Sequence, residues 1–412
     1  MTYSCRHCGA PLIHEVIDLG HQPPSNAYLT AAQLLEPEMT YPLKVYLCTS
    51  CWLMQLPAHA AAAELFTADY AYFSSTSTSW CTHAERFVAS ATQRLGLGVH
   101  NRVVEIASND GYLLQYVQQR GIPCLGIEPT RATAMAAKAK GIETLERFFG
   151  ASLASELVAS GSLVEGGADL VVANNVLAHV PDINDFMTGI ARLLKPTGRA
   201  AIEFPHLLRL LAGNQFDTIY HEHYSYLSLR VAQRLATKAG LVVEDVEELP
   251  THGGSLRVWF AIQGQAQSTV AVDAVLAAEE AAGLENPMAY THFQQRAEEV
   301  KHDLLEFLLR VKKKGQRVLG YGAAAKGNTL LNYAGVKPDL LPVIYDAAKA
   351  KQNKFMPGNH IPILPSDQIL IEKPDYVLIL PWNIATEVRQ QNALLESDGV
   401  QFVTAVPEIS IL

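Results

Sequence analysis

Residues 101–129 read NRVVEIASNDGYLLQYVQQRGIPCLGIEP, and this stretch decides the fold. NRVVEIA is a short β-branched run, GYLLQYVQQRG has helical spacing, and CLGIEP is a second apolar run. Such runs alternating with helical segments make βαβ units on a parallel sheet. The alternation continues through RATAMAAKAKG (helix), ADLVVANNVLAHV (opening as a buried strand), DFMTGIARLLKPTG (helix) and RAAIEFP (strand). Further on, HFQQRAEEVKHDLLEFLLRVKKKG has helical periodicity and closes at Gly315 with lysines in its last turn, as helix ends prefer. A fresh α/β unit follows it: QRVLGYG, KGNTLLNYAG, LLPVIYD and DYVLILPW. The expected chain is therefore α/β in three parts: a small metal-binding module over 1–70, a central Rossmann-like domain over 71–285, and a C-terminal Rossmann-like domain over 286–412. No solenoid-type repeat is present.

The chain has 412 residues, of which 49% are hydrophobic and 18% charged, a balance that favours buried cores over disorder. A formal net charge of −9 weighs against a general binder of phosphate backbones, so no nucleic-acid partner is expected. The start, MTYSCRHCGAPL, lacks the basic and apolar regions of a signal peptide, and no apolar run approaches membrane-spanning length.

Four of the six cysteines form two pairs, Cys5-x-x-Cys8 and Cys48-x-x-Cys51. Two thiolates on a tight turn grip one metal ion, and two such pairs complete a tetrahedral Cys₄ set typical of structural Zn²⁺. A closed set has no open coordination position, so this metal holds structure and does no chemistry. Residues 9–47 between the pairs must form a small fold of their own, including the polar, Pro-bearing loop HQPPSNAYL. With these thiols on metal and Cys81 and Cys124 alone, a reducing cytoplasm is the expected location.

Two nucleotide signals follow. In VEIASNDGYLL, Glu105 ends a strand, while Ala107, Ser108 and Gly111 let backbone approach a ligand and Asp110 can accept a hydrogen bond. Glu128, after the next strand, is placed to accept from two ribose hydroxyls, and Asn174 and Asn175 fall over the same crevice. This loop resembles the S-adenosylmethionine loop of class I methyltransferases, and the G-x-G-x-x-G dinucleotide fingerprint is absent from it. The second signal is RVLGYGAAAKGNTLLN, where Gly320, Gly322 and Ala325 satisfy a relaxed G-x-G-x-x-A pattern with Asp346 after the next strand. Alone this could hold NAD. Lys326 and Asn328 shift the balance toward a nucleoside diphosphate, because a lysine at a helix N-terminus adds a point charge there.

Between the two signals, DTIYHEHYSYLS packs Tyr220, His221, Glu222, His223, Tyr224 and Tyr226 into seven positions. That density fits acid–base work, with His as base and Glu or Tyr to orient or protonate. H-E-H lacks the spacing of a metal helix, and histidines at i, i+2 on a strand face opposite ways. THGGSLRVW gives backbone access at Gly253 and Gly254, with His252, Ser255 and Arg257 as candidate ligands to a polar substrate.

Taken in order, the C-x-x-C pairs, VEIASNDGYLL, GIEPT, IYHEHYSYLS, THGGSLRV and GYGAAAKGNTLLN resemble the sugar C-methyltransferases of deoxysugar biosynthesis over nearly the whole chain. The resemblance implies a zinc-bearing module, then an adenosylmethionine domain, then a Rossmann-like domain for the nucleotide of a nucleotidyl-linked 4-keto-deoxysugar, dTDP or GDP. It implies His223 as base, with Tyr220, Glu222 and Tyr72 of DYAYFSS in the catalytic group. It extends the cofactor set to Asn109 and Pro129. The substrate set gains His179, His221, Tyr224 and Tyr321. A carbon-bound hydrogen is acidic only beside a carbonyl, so the methyl group is expected at C3', with C5' the alternative. Three rivals stand beside this: an NAD-dependent oxidoreductase using the C-terminal domain, an RNA methyltransferase guided by the zinc module, and a non-enzymatic scaffold. The sequence leaves the oligomeric state open and is compatible with a monomer.

Overall fold

The structure, a computed structural model, describes residues 3–59, 73–161 and 166–412. At its centre is a seven-stranded sheet ordered Leu241–Leu249, Ser255–Ile262, Leu194–Pro205, Ala168–Asn174, Val103–Ile106, Cys124–Ile127, Thr144–Leu145. The five strands from Leu194–Pro205 to Thr144–Leu145 pair in parallel, and Ser255–Ile262 runs antiparallel to both its neighbours. Strands buried on both faces explain why VVEI and DLVVAN read as continuous apolar runs. The helix Ile183–Leu193 buries Ile183, Phe186, Met187, Ile190 and Leu193, the i, i+3, i+4, i+7 stripe of a helix packed on a sheet.

The C-terminal sheet is ordered Ile363–Pro365, Ile344–Asp346, Val318–Tyr321, Tyr376–Ile379, Gln401–Thr404, Ser410–Ile411, with only the last strand antiparallel. Both sheets reverse strand order beside their first strand, and crevices open there at the carboxyl ends.

The N-terminal module is a four-stranded sheet of His14–Gln22, Tyr41–Leu47, Met54–Gln55 and Ser225–Tyr226. Its edge strand thus comes from the segment just after the histidine cluster. Leu43, Val45 and Leu47 alternate inward at period two and share a core with Phe293, Ala297, Val300, Leu304, Phe307 and Val311 of the helix Phe293–Lys313. Cys5, Cys48 and Cys51 pack instead against the core of the central sheet. The module is therefore wedged between the other two parts.

Two expectations change. GYLLQYVQQRG yields only a five-residue helix, Leu114–Gln118, with turns on either side. SLRVWFAI, expected to serve a substrate, is an interior strand of the central sheet. No helix among the described residues is long and apolar enough to cross a membrane.

Candidate active site

The metal set forms first in the chain. One ligand atom from each of Cys5, Cys8, Cys48 and Cys51 lies within 4.8 Å of the others, with Cys5–Cys51 and Cys8–Cys48 sulfurs 3.5 Å apart. A tetrahedron with Zn–S bonds of about 2.3 Å has edges of about 3.8 Å, so the four free thiols fit zinc. The two turns match: Gly9 donates to the Cys5 carbonyl and Trp52 to the Cys48 carbonyl, both from left-handed backbone. Gln55 adds a hydrogen bond to the Cys5 sulfur at 3.1 Å. The knuckle is tied to the central domain by Arg6 on the Pro181 carbonyl at 2.9 Å and by His7 Nδ1 on Asn184 Oδ1 at 2.8 Å.

One cavity of about 570 Å³ joins all three parts of the chain. Its size falls in the ordinary range for ligand sites. At one end it is walled by Ala107, Asn109, Glu128, Pro129, Asn174 and Asn175. Ala107, Asn109 and Asn175 all hold positive φ, which brings backbone close to whatever fills the crevice. Glu128, 3% exposed, accepts from the Asn109 amide at 2.9 Å, the Thr130 amide at 2.8 Å and the Thr130 hydroxyl. Three of its roughly four lone-pair positions are thus engaged, so it can meet one ribose hydroxyl directly, and a second only if Thr130 turns away. The donor and acceptor set fits adenosylmethionine with that refinement.

The other expected crevice residues lie under this wall. Glu105 is buried beneath the floor, and burial pushes its carboxyl well above the usual range. Ser108 is fully buried, against Gly126. Asp110 is buried away from the cavity, where it accepts from the Ser75 amide and hydroxyl and from Lys140 at 3.3 Å. Gly111 is where the chain bends at φ 76°, and a Cβ there would collide with Ile142.

Tyr220, Glu222, His223 and His179 line the same cavity. Residues 220–224 form a turn rather than a strand, and His223 bonds through Nδ1 to the Thr218 carbonyl at 2.8 Å. A carbonyl only accepts, so Nδ1 carries the proton and the lone pair is on Nε2. The rings of His223 and Tyr220 lie 3.9 Å apart between centroids, and His179 approaches edge-on at 4.6 Å. Burial, with His179 alongside, holds the His223 imidazolium well below its ordinary value. His179 donates from Nδ1 to the Glu222 carbonyl at 2.8 Å, and burial brings it to about 4. His252 also lines the cavity, accepts from Asn175 at 3.1 Å, and is brought to about 4 by burial and by Lys326.

The expected second nucleotide site opens into this same cavity. Ala324, Ala325 and Lys326, at the N-terminus of the helix Ala325–Ala334, form its far wall. Lys326 Nζ bonds Asn383 at 2.6 Å and sits 4.5 Å over the Trp382 ring. Gly322 turns at φ 84°, where a Cβ would strike Pro381. Asp346 accepts from the Ala323 and Ala348 amides at 2.7 Å each and from Lys351 at 3.4 Å, so it braces the loop.

Several expected substrate residues stay outside the cavity. Arg257 is 5% exposed and ion-paired to Glu203 at 2.8 Å and Glu247 at 3.3 Å. Gly253, Gly254 and Ser255 line a separate shallow depression with Arg209 and Glu248. His221 turns to the Tyr41 carbonyl at 3.2 Å, and Tyr224 lies under Arg6. Asn328 and Tyr321 are buried in the C-terminal domain. Tyr72 lies outside the described residues. Conversely, Asn26, Trp80, Arg147, Phe148, Phe149 and Lys351 line the cavity and were not expected there. HQPPSNAYL pointed at Asn26 only as a loop, and no sequence signal marked Lys351.

Family comparison agrees with this three-part plan. The chain matches a zinc binding domain over residues 5–66, a methyltransferase domain over 80–246 and a C-methyltransferase C-terminal domain over 250–407. It is 35% identical over 410 residues to the C-methyltransferase NovU of Streptomyces niveus, covering 99% of this chain and 96% of that protein. Partial likenesses among solved structures include the PH0226 protein of Pyrococcus horikoshii OT3 (15% identity, TM-score 0.38, 47% of this chain and 95% of that one). Another is magnesium protoporphyrin IX methyltransferase from Synechocystis PCC 6803 (15% identity, TM-score 0.32, 44% of this chain and 79% of that one). The assignment rests on the full-length relative and the three family models: this chain belongs to the C-methyltransferases, S-adenosylmethionine-dependent enzymes that place a methyl group on carbon.

Proposed function

We propose that this enzyme methylates C3' of a nucleotidyl-linked 4-keto-6-deoxysugar, with dTDP or GDP as the nucleotide. The observation that carries the reading is His223: a neutral, tautomer-fixed imidazole in the cavity that also holds Glu128 at one end and Lys326 at the other. Lys326 at a helix N-terminus suits a diphosphate, and the acid–base cluster lines the same cavity as Lys326 and Glu128. An oxidoreductase reading has no place in a C-methyltransferase, and the Gly-rich turn is better used for the sugar nucleotide.

In this scheme His223 Nε2 takes the proton from the carbon beside the ketone, and the C–H electron pair passes into the enolate with its charge on the ketone oxygen. Among the described residues Tyr220 is the phenol nearest the base and the natural donor to that oxygen. Glu128 and its neighbours would hold adenosylmethionine, which would supply an electrophilic methyl group: the carbanion pair forms the new C–C bond as the methyl–sulfur bond breaks and S-adenosylhomocysteine leaves with that bond's electrons. His223 then returns its proton to solvent. A low imidazolium pKa keeps the base unprotonated and ready to accept a proton. Holding two ligands in attack geometry is worth up to about 7–11 kcal/mol in favourable systems.

The test is product NMR after incubation with adenosylmethionine and a panel of nucleotidyl 4-keto-6-deoxysugars, thymidine- and guanosine-linked, with and without a 3-amino group. A new methyl signal coupled to C3' is expected. A methyl at C5' selects the alternative position, and transfer to none of the panel refutes the sugar substrate.

A further inference from the structure

We infer that Asn26, carried by the N-terminal module, is a positioning residue that holds Glu222 as an oriented hydrogen-bond acceptor in the reacting cluster. The inference rests on the proposed role of that cluster and deepens it.

HQPPSNAYL gives no sequence sign of an active-site part, yet the structure drives it between the catalytic turn and the C-terminal domain. The turn Pro24–Ala27 is closed by a hydrogen bond of 3.1 Å. Ser25 and Tyr28 are buried on either side of Asn26. Tyr28 donates to the Ala323 carbonyl at 2.6 Å, and Leu29 pairs with Phe355 through two backbone bonds. Thr329 of the C-terminal domain donates to the Ile219 carbonyl at 2.9 Å, fixing the other side of the wedge. Held this way, Asn26 enters the cavity wall with Nδ2 at 2.9 and 2.8 Å from the two carboxylate oxygens of Glu222. The Glu222 carboxyl oxygens accept, and this sets the amide with its nitrogen toward them, while the one hydroxyl proton of Tyr28 goes to Ala323.

The chemistry of this pair is directional. Glu222 is 2% exposed, and the amide presents Nδ2 to both of its carboxyl oxygens, which holds the carboxyl in one orientation. Oxygens held this way serve as acceptors for a hydroxyl or amino hydrogen of the sugar near the reacting carbon. The module that binds zinc thereby supplies a working part of the active site.

The experiment is a double-mutant cycle on the full-length, zinc-loaded enzyme, read as kcat, KM for adenosylmethionine and zinc content. Asn26→Ala is expected to lower kcat by about 10–100-fold, the cost of taking a donor from a buried acceptor, with KM for adenosylmethionine and zinc content unchanged. Asn26→Asp, nearly isosteric, is expected to be worse than Ala, because it sets one carboxylate against another. In a Glu222→Gln background, Asn26→Ala should add less than about 3-fold, since coupled residues are not additive. Wild-type kcat in Asn26→Asp, or an undiminished effect of Asn26→Ala in the Glu222→Gln background, overturns the proposal. Glu222→Gln that turns over like wild type removes instead the cluster role on which it rests. If Asn26→Ala loses zinc, Asn26→Ser is carried through the same cycle under the same criteria.

Discussion

His223 donates its Nδ1 proton to the backbone carbonyl of Thr218 at 2.8 Å, so the sequence neighbour Asp217 and the base sit on one short loop. Asp217 accepts from Trp382 Nε1 at 2.7 Å, and the Trp382 ring carries Lys326 on its face. His223 is therefore braced by the wall that carries Lys326.

That wall gives the first prediction. Lys326→Ala should weaken the nucleotidyl sugar by at least about 10-fold, the lower range for a charge-assisted bond, and leave adenosylmethionine affinity alone. Calorimetry with each ligand separately checks it. Equal losses for both would mean that Lys326 supports the fold and not the diphosphate.

Glu128→Ala removes a buried acceptor whose plane is set by Asn109 and Thr130. Adenosylmethionine affinity should drop by about 1.5–3 kcal/mol, with no change for the sugar nucleotide. Unchanged affinity would take Glu128 out of the site.

The metal set predicts one zinc per chain. Cys48→Ser should release it and loosen the N-terminal module, because binding and folding are coupled there. Since Arg6 and His7 of the same knuckle bond Pro181 and Asn184, the adenosylmethionine side should weaken as well. Elemental analysis of fresh, unchelated protein is the check, and absence of zinc contradicts the assignment.

Acid should destabilise the fold. Burial brings His179, His221 and His252 to about 4 and holds His223 well below its ordinary value, against about 6.5 when unfolded. Depressed values mean the unfolded chain takes up protons first, so stability present above about pH 6.5 is lost as the pH falls toward 4. Asp217, pushed up to about 6 by burial, works in the opposite direction and offsets part of the loss. Thermal unfolding midpoints should fall between pH 7 and pH 5. His221→Gln, which lies outside the cavity and does not titrate, should flatten that slope. An unchanged slope would show that His221 is not part of it.

Much of this was legible in the chain, for identifiable reasons. Strands such as VVEI are buried on both faces, so their apolar runs survive without context. Cys5 to Cys51, Glu128 and His223 sit in local motifs, and the structure brings the four thiols together and puts Glu128 and His223 on the cavity wall. Arg257 was misread because two glycines precede it. They are turn glycines with positive φ, and Gly253 is packed close to Trp382, while the strand beyond is interior. Asn26, Trp80 and Lys351 reach the cavity only through tertiary packing. No periodicity records that. The merging of two nucleotide signals into one cavity is equally a matter of how the domains dock.

The central claim is that His223 removes a proton from carbon beside a ketone, and exchange of that hydrogen with deuterated solvent tests it without relying on methyl transfer. With a nucleotidyl 4-keto-6-deoxysugar bound, the wild-type enzyme should exchange the α-carbon hydrogen. His223→Asn keeps size and polarity but cannot take the proton, so exchange and turnover should both fall by about 10²–10⁴-fold while ligand affinities hold. Wild-type exchange and turnover in His223→Asn would contradict the account and pass the role of base to another group, Tyr220 first.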